Sequence, residues 1–96
     1  MAVHHMVWMK FHDGLAAEQI DGHLKALAAM PEKIPAIRDL HVAANFTDRA
    51  GGYTHGLIVV VDDREQLTAY LEHEEHVKVA GPLKRDAELM AMDIED

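Results

Sequence analysis

Hydrophobic and polar positions alternate along several segments of the chain, a pattern that is typical of β-strands. The clearest example is residues 53–61, YTHGLIVVV, and a second is residues 3–11, VHHMVWMKF. Residues 87–94 predict a closing strand, and residues 36–44 predict a further strand with a less regular pattern. Residues 3–11 carry apolar side chains on both faces, so we expect both faces of this strand to be covered.

A different spacing, with apolar residues three or four positions apart, predicts helices between these strands. The first helix covers residues 16–30, and the second covers residues 62–73. A further helical segment is predicted over residues 74–85. We expect Gly81 and Pro82 to disturb it, because proline lacks the N–H that a helix interior needs.

The resulting order of elements is β-α-β-β-α-β, which is the ferredoxin-like arrangement. It predicts an α+β fold with a four-stranded antiparallel sheet, whose first and third strands form the central pair, and two main helices on one face. The other face of the sheet then needs cover. A second copy of the chain would supply it and give a homodimeric α/β barrel. The length predicts one domain over residues 1–96.

The net charge and the cysteine content limit which classes of partner and which cellular location we expect. Nine Lys and Arg against 17 Asp and Glu give a net charge of −8, which repels phosphate backbones and anionic membranes. We therefore expect neither nucleic acid nor membrane as a partner. The absence of cysteine excludes thiolate chemistry and fits a cytoplasmic location. Residues 1–11 lack the basic start and apolar run of a signal peptide.

Four stretches of the chain carry a family resemblance. They are HHMVWMKF from His4, MPEKIPAI from Met30, GYTH from Gly52 and YLEHEEHV from Tyr70. In order and spacing they resemble the stress-responsive A/B-barrel (Dabb) family along nearly the whole chain. The resemblance implies a dimeric α+β barrel in which two ferredoxin-like sheets face each other. Most members have no assigned activity, and some plant members are linked to stress response.

The resemblance also implies candidate catalytic residues. One plant member is a polyketide cyclase that closes an aromatic ring by intramolecular aldol condensation, in a pocket between sheet and helices. Its first-strand catalytic histidine corresponds to His5, its helix tyrosine to Tyr70 and its general-base histidine to His76. The histidine of its Tyr-Thr-His strand corresponds to His55.

The residue types at these positions support acid–base chemistry independently of the family. A phenol and two imidazoles around one cavity can move protons near neutral pH. We predict that His76 takes a proton from a carbon next to a carbonyl, while Tyr70 donates a hydrogen bond to the developing enolate oxygen. His5 would steer the substrate or orient His76. In the alternative interpretation, these histidines are hydrogen-bonded core residues without a catalytic role.

The predicted ligand pocket is mostly apolar. The first long helix of the cyclase carries bulky aromatic residues where this chain has His23, Leu24 and Leu27, so the resemblance does not extend to the substrate. The residues predicted to contact a ligand are Val7, Met9, His23, Leu24, Leu27, His55, Leu57 and Val59.

Neither a metal nor a cofactor is predicted. His73 and His76 are three residues apart, whereas the H-E-x-x-H zinc motif needs four. His4 and His5 point to opposite faces of their strand and cannot chelate together. His73 is interpreted as an exposed residue at a helix end. Three acidic residues near the C-terminus are interpreted as a solvated tail: Asp93, Glu95 and Asp96.

The sequence thus predicts a member of this family that binds a small, mostly apolar ligand, with a cyclase- or lyase-like step if the protein is an enzyme. The alternative is a non-enzymatic stress-response or assembly scaffold that acts through its dimer. A monooxygenase-like dimeric barrel shares the fold. No haem or flavin motif supports that function, and a fold alone does not determine function.

Overall fold

The secondary structure follows the predicted β-α-β-β-α-β order, with the second helical region divided in two. The computed structural model describes residues 1–96. Its elements are β1 (Val3–Phe11), α1 (Ala17–Ala28), a short 3-10 helix (Met30–Glu32), β2 (Asp39–Ala44), β3 (His55–Val61), α2 (Arg64–Glu72), α3 (Glu74–Asp86) and β4 (Ala87–Glu95). None of the helices combines the length and apolar composition that crossing a membrane requires.

The four strands form one antiparallel sheet in the order β2-β3-β1-β4, which confirms β1 and β3 as the central pair. Because β1 is central, each residue along most of its length has a neighbour on both sides. His5 lies opposite Val59 of β3 and Asp93 of β4. Directly opposed residues point to the same face of a sheet. All three side chains therefore face the helices, and the predicted fold class is confirmed.

The junction between α2 and α3 is formed by His73. The backbone of His73 is extended, with a ψ of 137°, and its ring Nδ1 accepts a hydrogen bond from the backbone N–H of Glu75 at 3.1 Å. This contact caps the N-terminus of α3. His73 lies at a helix end, as predicted, but it is half-buried rather than exposed. The break places Tyr70 in the last turn of α2 and His76 in the first turn of α3.

Two strands begin later than predicted. β2 begins at Asp39 rather than at residue 36, because the preceding segment is held in a turn by a hydrogen bond from the Ile37 N–H to the Ile34 carbonyl. Both isoleucines are buried in the core. β3 begins at His55 rather than at residue 53, because Tyr53 belongs to a turn.

Helix α3 continues through Gly81 and Pro82 without the predicted disturbance. Proline in a helix interior removes one backbone hydrogen bond. The next residue, Leu83, is 4% exposed, and its burial in the core offsets part of that loss. Packing against the sheet therefore overrides the local preference of the proline.

The hydrophobic core lies between the helices and the inner face of the sheet. Thirteen buried hydrophobic residues form it, and His5 is the one buried polar residue, at 6% exposed. The outer face is also apolar but lacks such cover: Trp8 is 48% exposed and Met92 62% exposed. Only one of the two apolar faces is therefore buried within a single chain.

Candidate active site

Tyr70 and His76 are brought together by the junction between α2 and α3. Their ring centroids are 4.6 Å apart, and the ring planes are tilted by 56°. Tyr70 is 1% exposed. His5 reaches the same phenol from β1, with a centroid distance of 5.6 Å in an edge-on arrangement. The three residues predicted as catalytic are therefore adjacent, although they come from three different elements.

One nitrogen of the His76 ring is bound to the backbone. Nδ1 lies 2.9 Å from the carbonyl oxygen of Leu71. Because a carbonyl only accepts, Nδ1 carries the proton and the neutral ring has its lone pair on Nε2. Burial lowers the pKa of His76 below its ordinary value of 6.5. The Leu71 hydrogen bond opposes this shift, and positive charge on His5 and Lys84 lowers the pKa further. At neutral pH the His76 ring is therefore able to accept a proton.

The hydroxyl of Tyr70 stays protonated and has no partner in the protein. Burial raises the pKa of Tyr70 well above its usual range, because desolvation disfavours the phenolate. The hydroxyl makes no hydrogen bond within the protein. Every side-chain oxygen or nitrogen that solvent cannot reach does have a hydrogen-bond partner. The hydroxyl oxygen of Tyr70 therefore keeps contact with solvent, and it is suited to donate a hydrogen bond to a bound molecule.

His5 is held by a carboxylate on the neighbouring strand. Its Nδ1 donates to Asp93 Oδ1 at 2.5 Å, which leaves Nε2 of the neutral ring as an acceptor. The side chain of His5 is 8% exposed and that of Asp93 is 43% exposed. The three acidic residues near the C-terminus are exposed, as their interpretation as a solvated tail predicted, but they are not free of side-chain contacts. Asp93 faces inward, and Glu95 and Asp96 also bind side chains.

His23 and His55 form a second cluster at the far end of the same layer. Both pack against Phe11: His23 stacks on its ring at a centroid distance of 5.8 Å, and His55 meets it edge-on at 5.2 Å. His23 Nε2 also lies 2.7 Å from Oδ2 of Asp86. Burial lowers the pKa of His55. Phe11 is six residues beyond His5, about 20 Å along the strand, so this cluster is separate from the Tyr70 group.

The apolar residues predicted to contact a ligand lie in the core between these two clusters. Met9 and Val59 have no exposed surface, and Leu24 is only partly buried. Two surface cavities, of about 400 and 180 Å³, lie on the outer face of the sheet rather than in this layer. The predicted contact residues in the closed core are Val7, Met9, Leu27, Leu57 and Val59.

Sequence reasoning missed the two groups that orient the histidines, the carboxylate of Asp93 and the carbonyl of Leu71. A signal for Asp93 exists, because the alternation of Leu89 and Ala91 on the inner face of β4 continues to residue 93. No comparable signal exists for Leu71, since its carbonyl is free only because of where α2 ends. No group of three or more His, Cys, Asp or Glu side chains is arranged to hold a metal ion.

Comparisons with known proteins agree with this architecture. The family model described as the stress responsive A/B barrel domain matches residues 3–96. Over 79 residues the chain is 30% identical to olivetolic acid cyclase from Cannabis sativa, which covers 80% of this chain and 78% of the cyclase.

Solved structures show the same fold. A dimeric protein of unknown function with a ferredoxin-like fold, from Bacteroides fragilis, superposes with a TM-score of 0.84 at 26% identity, covering 99% of this chain and 96% of the other. Hydroxynitrile lyase from Passiflora edulis has a TM-score of 0.91 at 15% identity, covering 97% and 91%. That likeness shows the fold alone. Because the family model spans nearly all of its residues, this protein belongs to the stress responsive A/B barrel domain family.

Proposed function

We propose that the protein binds a small, mostly apolar carbonyl compound next to Tyr70, His76 and His5 and catalyses proton transfer on it. One observation carries this proposal: a neutral imidazole and a protonated phenol lie with centroids 4.6 Å apart, and the imidazole is fixed by its Nδ1 on the backbone. A base and a hydrogen-bond donor in contact are the two groups that enolisation requires.

His76 acts as the general base in this mechanism. Its Nε2 removes a proton from the carbon next to a carbonyl, and the electron pair of the C–H bond moves onto the carbonyl oxygen to give an enolate. Tyr70 donates a hydrogen bond to that oxygen, where negative charge develops. In an aldol ring closure the enolate carbon attacks a second carbonyl of the same molecule. The protonated His76 then returns its proton to the new alkoxide.

His5 serves as a positioning residue beside this pair. The Asp93 carboxylate holds its ring in one orientation, with the Nδ1 side occupied. The free Nε2 can then accept a hydrogen bond from a hydroxyl of the ligand, or donate one to a carbonyl when the ring is protonated. The ligand would reach the phenol past His76, which is partly exposed, whereas Tyr70 and His5 are buried.

The similarity to olivetolic acid cyclase supports an enzymatic function of this kind. At 30% identity over 80% of this chain, it favours related chemistry without identifying the substrate. The ligand wall that we propose includes Val7, Met9, Leu27, Leu57 and Val59, with His23, Leu24 and His55 toward the far end. Since several of these residues are fully buried, ligand entry requires side chains of the core to move.

We also propose that two copies of the chain associate through their outer sheet faces. Trp8, Ile58 and Met92 are each more than 40% exposed on that face, and large exposed apolar patches usually mark an interface. The similar B. fragilis protein is described as dimeric, which supports a dimer of this chain as well. Sedimentation equilibrium at micromolar concentration should give twice the mass of one chain.

A non-enzymatic scaffold is the second candidate function, and one observation favours it. Met9 and Val59 have no exposed surface, so the layer between sheet and helices is filled by its own side chains. If the protein is a scaffold, His76→Gln should change the stability of the protein without changing the rate of any catalysed reaction.

Deuterium exchange into acetylacetone, a 1,3-diketone with an acidic C–H bond, tests the acid–base function. We expect the protein to accelerate exchange over buffer, and His76→Gln and Tyr70→Phe each to lower the rate by about 100-fold. His12→Gln replaces an exposed histidine and should keep the full rate. An unchanged rate in His76→Gln would exclude His76 as the base.

A further inference from the structure

The outer face of the sheet carries little of the protein's negative charge. Of the 17 acidic residues, only Asp39 and Glu88 occupy outward strand positions, and both lie near the ends of their strands. Asp96 reaches the edge of the same face, where it pairs with His4. The face can therefore meet an identical face despite the net charge of −8. Its exposed apolar residues, 41–62% exposed, are Trp8, Ile58, Met90, Met92 and Ile94.

The size of this face is suited to a stable dimer. Four strands about 4.8 Å apart and a central strand of nine residues, about 30 Å long, give a face of roughly 19 by 30 Å. Because side chains project from the sheet, the solvent-accessible area of this face is larger than the flat area given by these two dimensions. A standard interface buries about 800 Å² per partner, so one whole sheet face is close to what each copy must contribute.

Phe46 lies at the rim of this face without any packing partner. It is 96% exposed, in the loop between β2 and β3. It lines the outer-face cavity of about 400 Å³ together with Trp8, Tyr53 and Ile58, so it lies on the outer side of the sheet. A fully exposed aromatic ring does not gain the stabilisation that burial of its apolar surface normally provides. The position of Phe46 suggests that a facing molecule covers it.

We propose that Phe46 of each copy packs into an apolar cavity on the outer face of the partner. This inference rests on the proposed homodimer and names the residue that anchors it. The receiving cavity has a volume of about 180 Å³, lies over β1 and β4, and has only hydrophobic walls: Met6, Trp8, Met90, Ala91 and Met92. The contact is made twice, because a two-fold interface repeats every pair of contacts.

The strand order supports this pairing. Consider a two-fold axis that is parallel to the strands and lies midway between two facing sheets. In the second copy, the strand order β2-β3-β1-β4 runs in the reverse direction, and each residue keeps its position along the strand axis. This axis therefore places the β2 edge of one sheet over β4 of the other. Ala44, at the end of β2, is level with His55, Met9 and Leu89 across the sheet. Phe46 follows Ala44 by two residues and so lies beyond the level of Met90. It lines the same cavity as Trp8, which is level with Met90, so its ring can turn back toward the partner's Met90.

The other in-plane axis, perpendicular to the strands, does not produce this contact. It places β2 over β2 and exchanges the two ends of the strands, so that Phe46 would face the partner's Asp39. The apolar cavity over β4 thus favours the axis parallel to the strands.

Sedimentation equilibrium of single and double variants tests this inference. We expect Phe46→Ser to raise the dimer Kd by about 10-fold or more, and to shift the fluorescence of Trp8, the sole tryptophan, toward that of exposed indole. Val77→Ser, which alters an exposed apolar residue on α3, should leave the Kd unchanged. Because Phe46 is 96% exposed, its substitution should not affect folding of the single chain.

The pairing with Met90 adds a second criterion. If the two residues touch in the dimer, the effects of Phe46→Ser and Met90→Ser on the Kd should be less than additive in the double variant. A Phe46→Ser Kd within twofold of wild type, or full additivity, would overturn the inference while leaving the dimer intact. A wild-type protein that stays monomeric would overturn the dimer and the inference together, and the acetylacetone assay tests the acid–base function separately.

Discussion

The ring of His76 takes the place of a backbone N–H on the carbonyl of Leu71. In a continuous helix this carbonyl would accept from the N–H of Glu75. That N–H instead donates to Nδ1 of His73, the cap of α3, and the carbonyl of Leu71 accepts from His76 Nδ1 at 2.9 Å. The helix break therefore creates the acceptor that fixes the His76 ring with Nε2 as its free nitrogen.

Removing the cap should disturb both the fold and the base. His73→Ala leaves the Glu75 N–H without its side-chain acceptor, so we expect a loss of about 1 kcal/mol in the free energy of unfolding. The N–H can then return to the Leu71 carbonyl and compete with His76. Urea denaturation checks the first effect, and the acetylacetone exchange rate checks the second. Full stability and full activity in His73→Ala would contradict this role.

Asp93 should matter more for stability than its place near the C-terminus suggests. Asp93→Asn weakens the charge-assisted hydrogen bond to His5, and we expect a loss of about 1 kcal/mol, because Asp93 is partly exposed. Asp96→Asn is the matched control, since Asp96 also pairs with a histidine, His4, but at the surface. It should cost less than about 0.5 kcal/mol. Equal losses in urea denaturation would argue against a special role of Asp93.

The hydroxyl of Tyr70 should contribute to function but little to stability. Because it has no partner in the protein, Tyr70→Phe should unfold within about 1 kcal/mol of wild type. Tyr70→Ala instead removes a ring that is 1% exposed, and should cost about 3–5 kcal/mol. Chemical denaturation of the two variants separates these contributions. A loss of more than about 2 kcal/mol in Tyr70→Phe would show that the hydroxyl has a structural partner.

Stability should also depend on pH through two half-buried histidines, His76 and His55. The pKa values of His76 and His55 are lower in the folded chain than the unfolded value of 6.5. In this range the unfolded chain binds more protons, so the free energy of unfolding falls as the pH drops through 6.5 toward the folded pKa values. The contribution is fully present above the unfolded pKa.

Denaturation midpoints at several pH values check this dependence. The double variant His55→Gln, His76→Gln should lose less stability than wild type between about pH 7.5 and 5. The exposed His12 serves as control, and His12→Gln should follow the wild-type curve. A double variant that matches the wild-type curve throughout would show that these two histidines do not cause the effect.

Local alternation predicted the strands well where the pattern is complete. The predicted bounds of the first strand, residues 3–11, are those of β1, because the inward positions from Val3 to Met9 are all buried and alternate with less buried ones. Topology and family resemblance then predicted that His5, Tyr70 and His76 are neighbours. The continuity of α3 through Pro82 could not be predicted, since it depends on how Leu83 packs against the sheet.

The orienting contacts of the site were beyond sequence analysis for a related reason. Asp93 and His5 are 88 residues apart in sequence and lie on neighbouring strands, so the contact depends on the register of β1 with β4. The Leu71 carbonyl is a backbone group, and its availability depends on the exact residue at which α2 ends, which a side-chain pattern does not locate. Side-chain type alone predicts neither contact.

Nitrogen-15 NMR of histidine-labelled protein between about pH 5 and 8 measures the state of His76 most directly. The geometry predicts that Nδ1 carries the proton, that Nε2 is unprotonated at neutral pH, and that the ring titrates below 6.5. The Tyr70→Phe variant should retain the same tautomer, because the Leu71 carbonyl sets it. A proton on Nε2 in the neutral ring, or a pKa above 6.5, would contradict the assignment of His76 as the base.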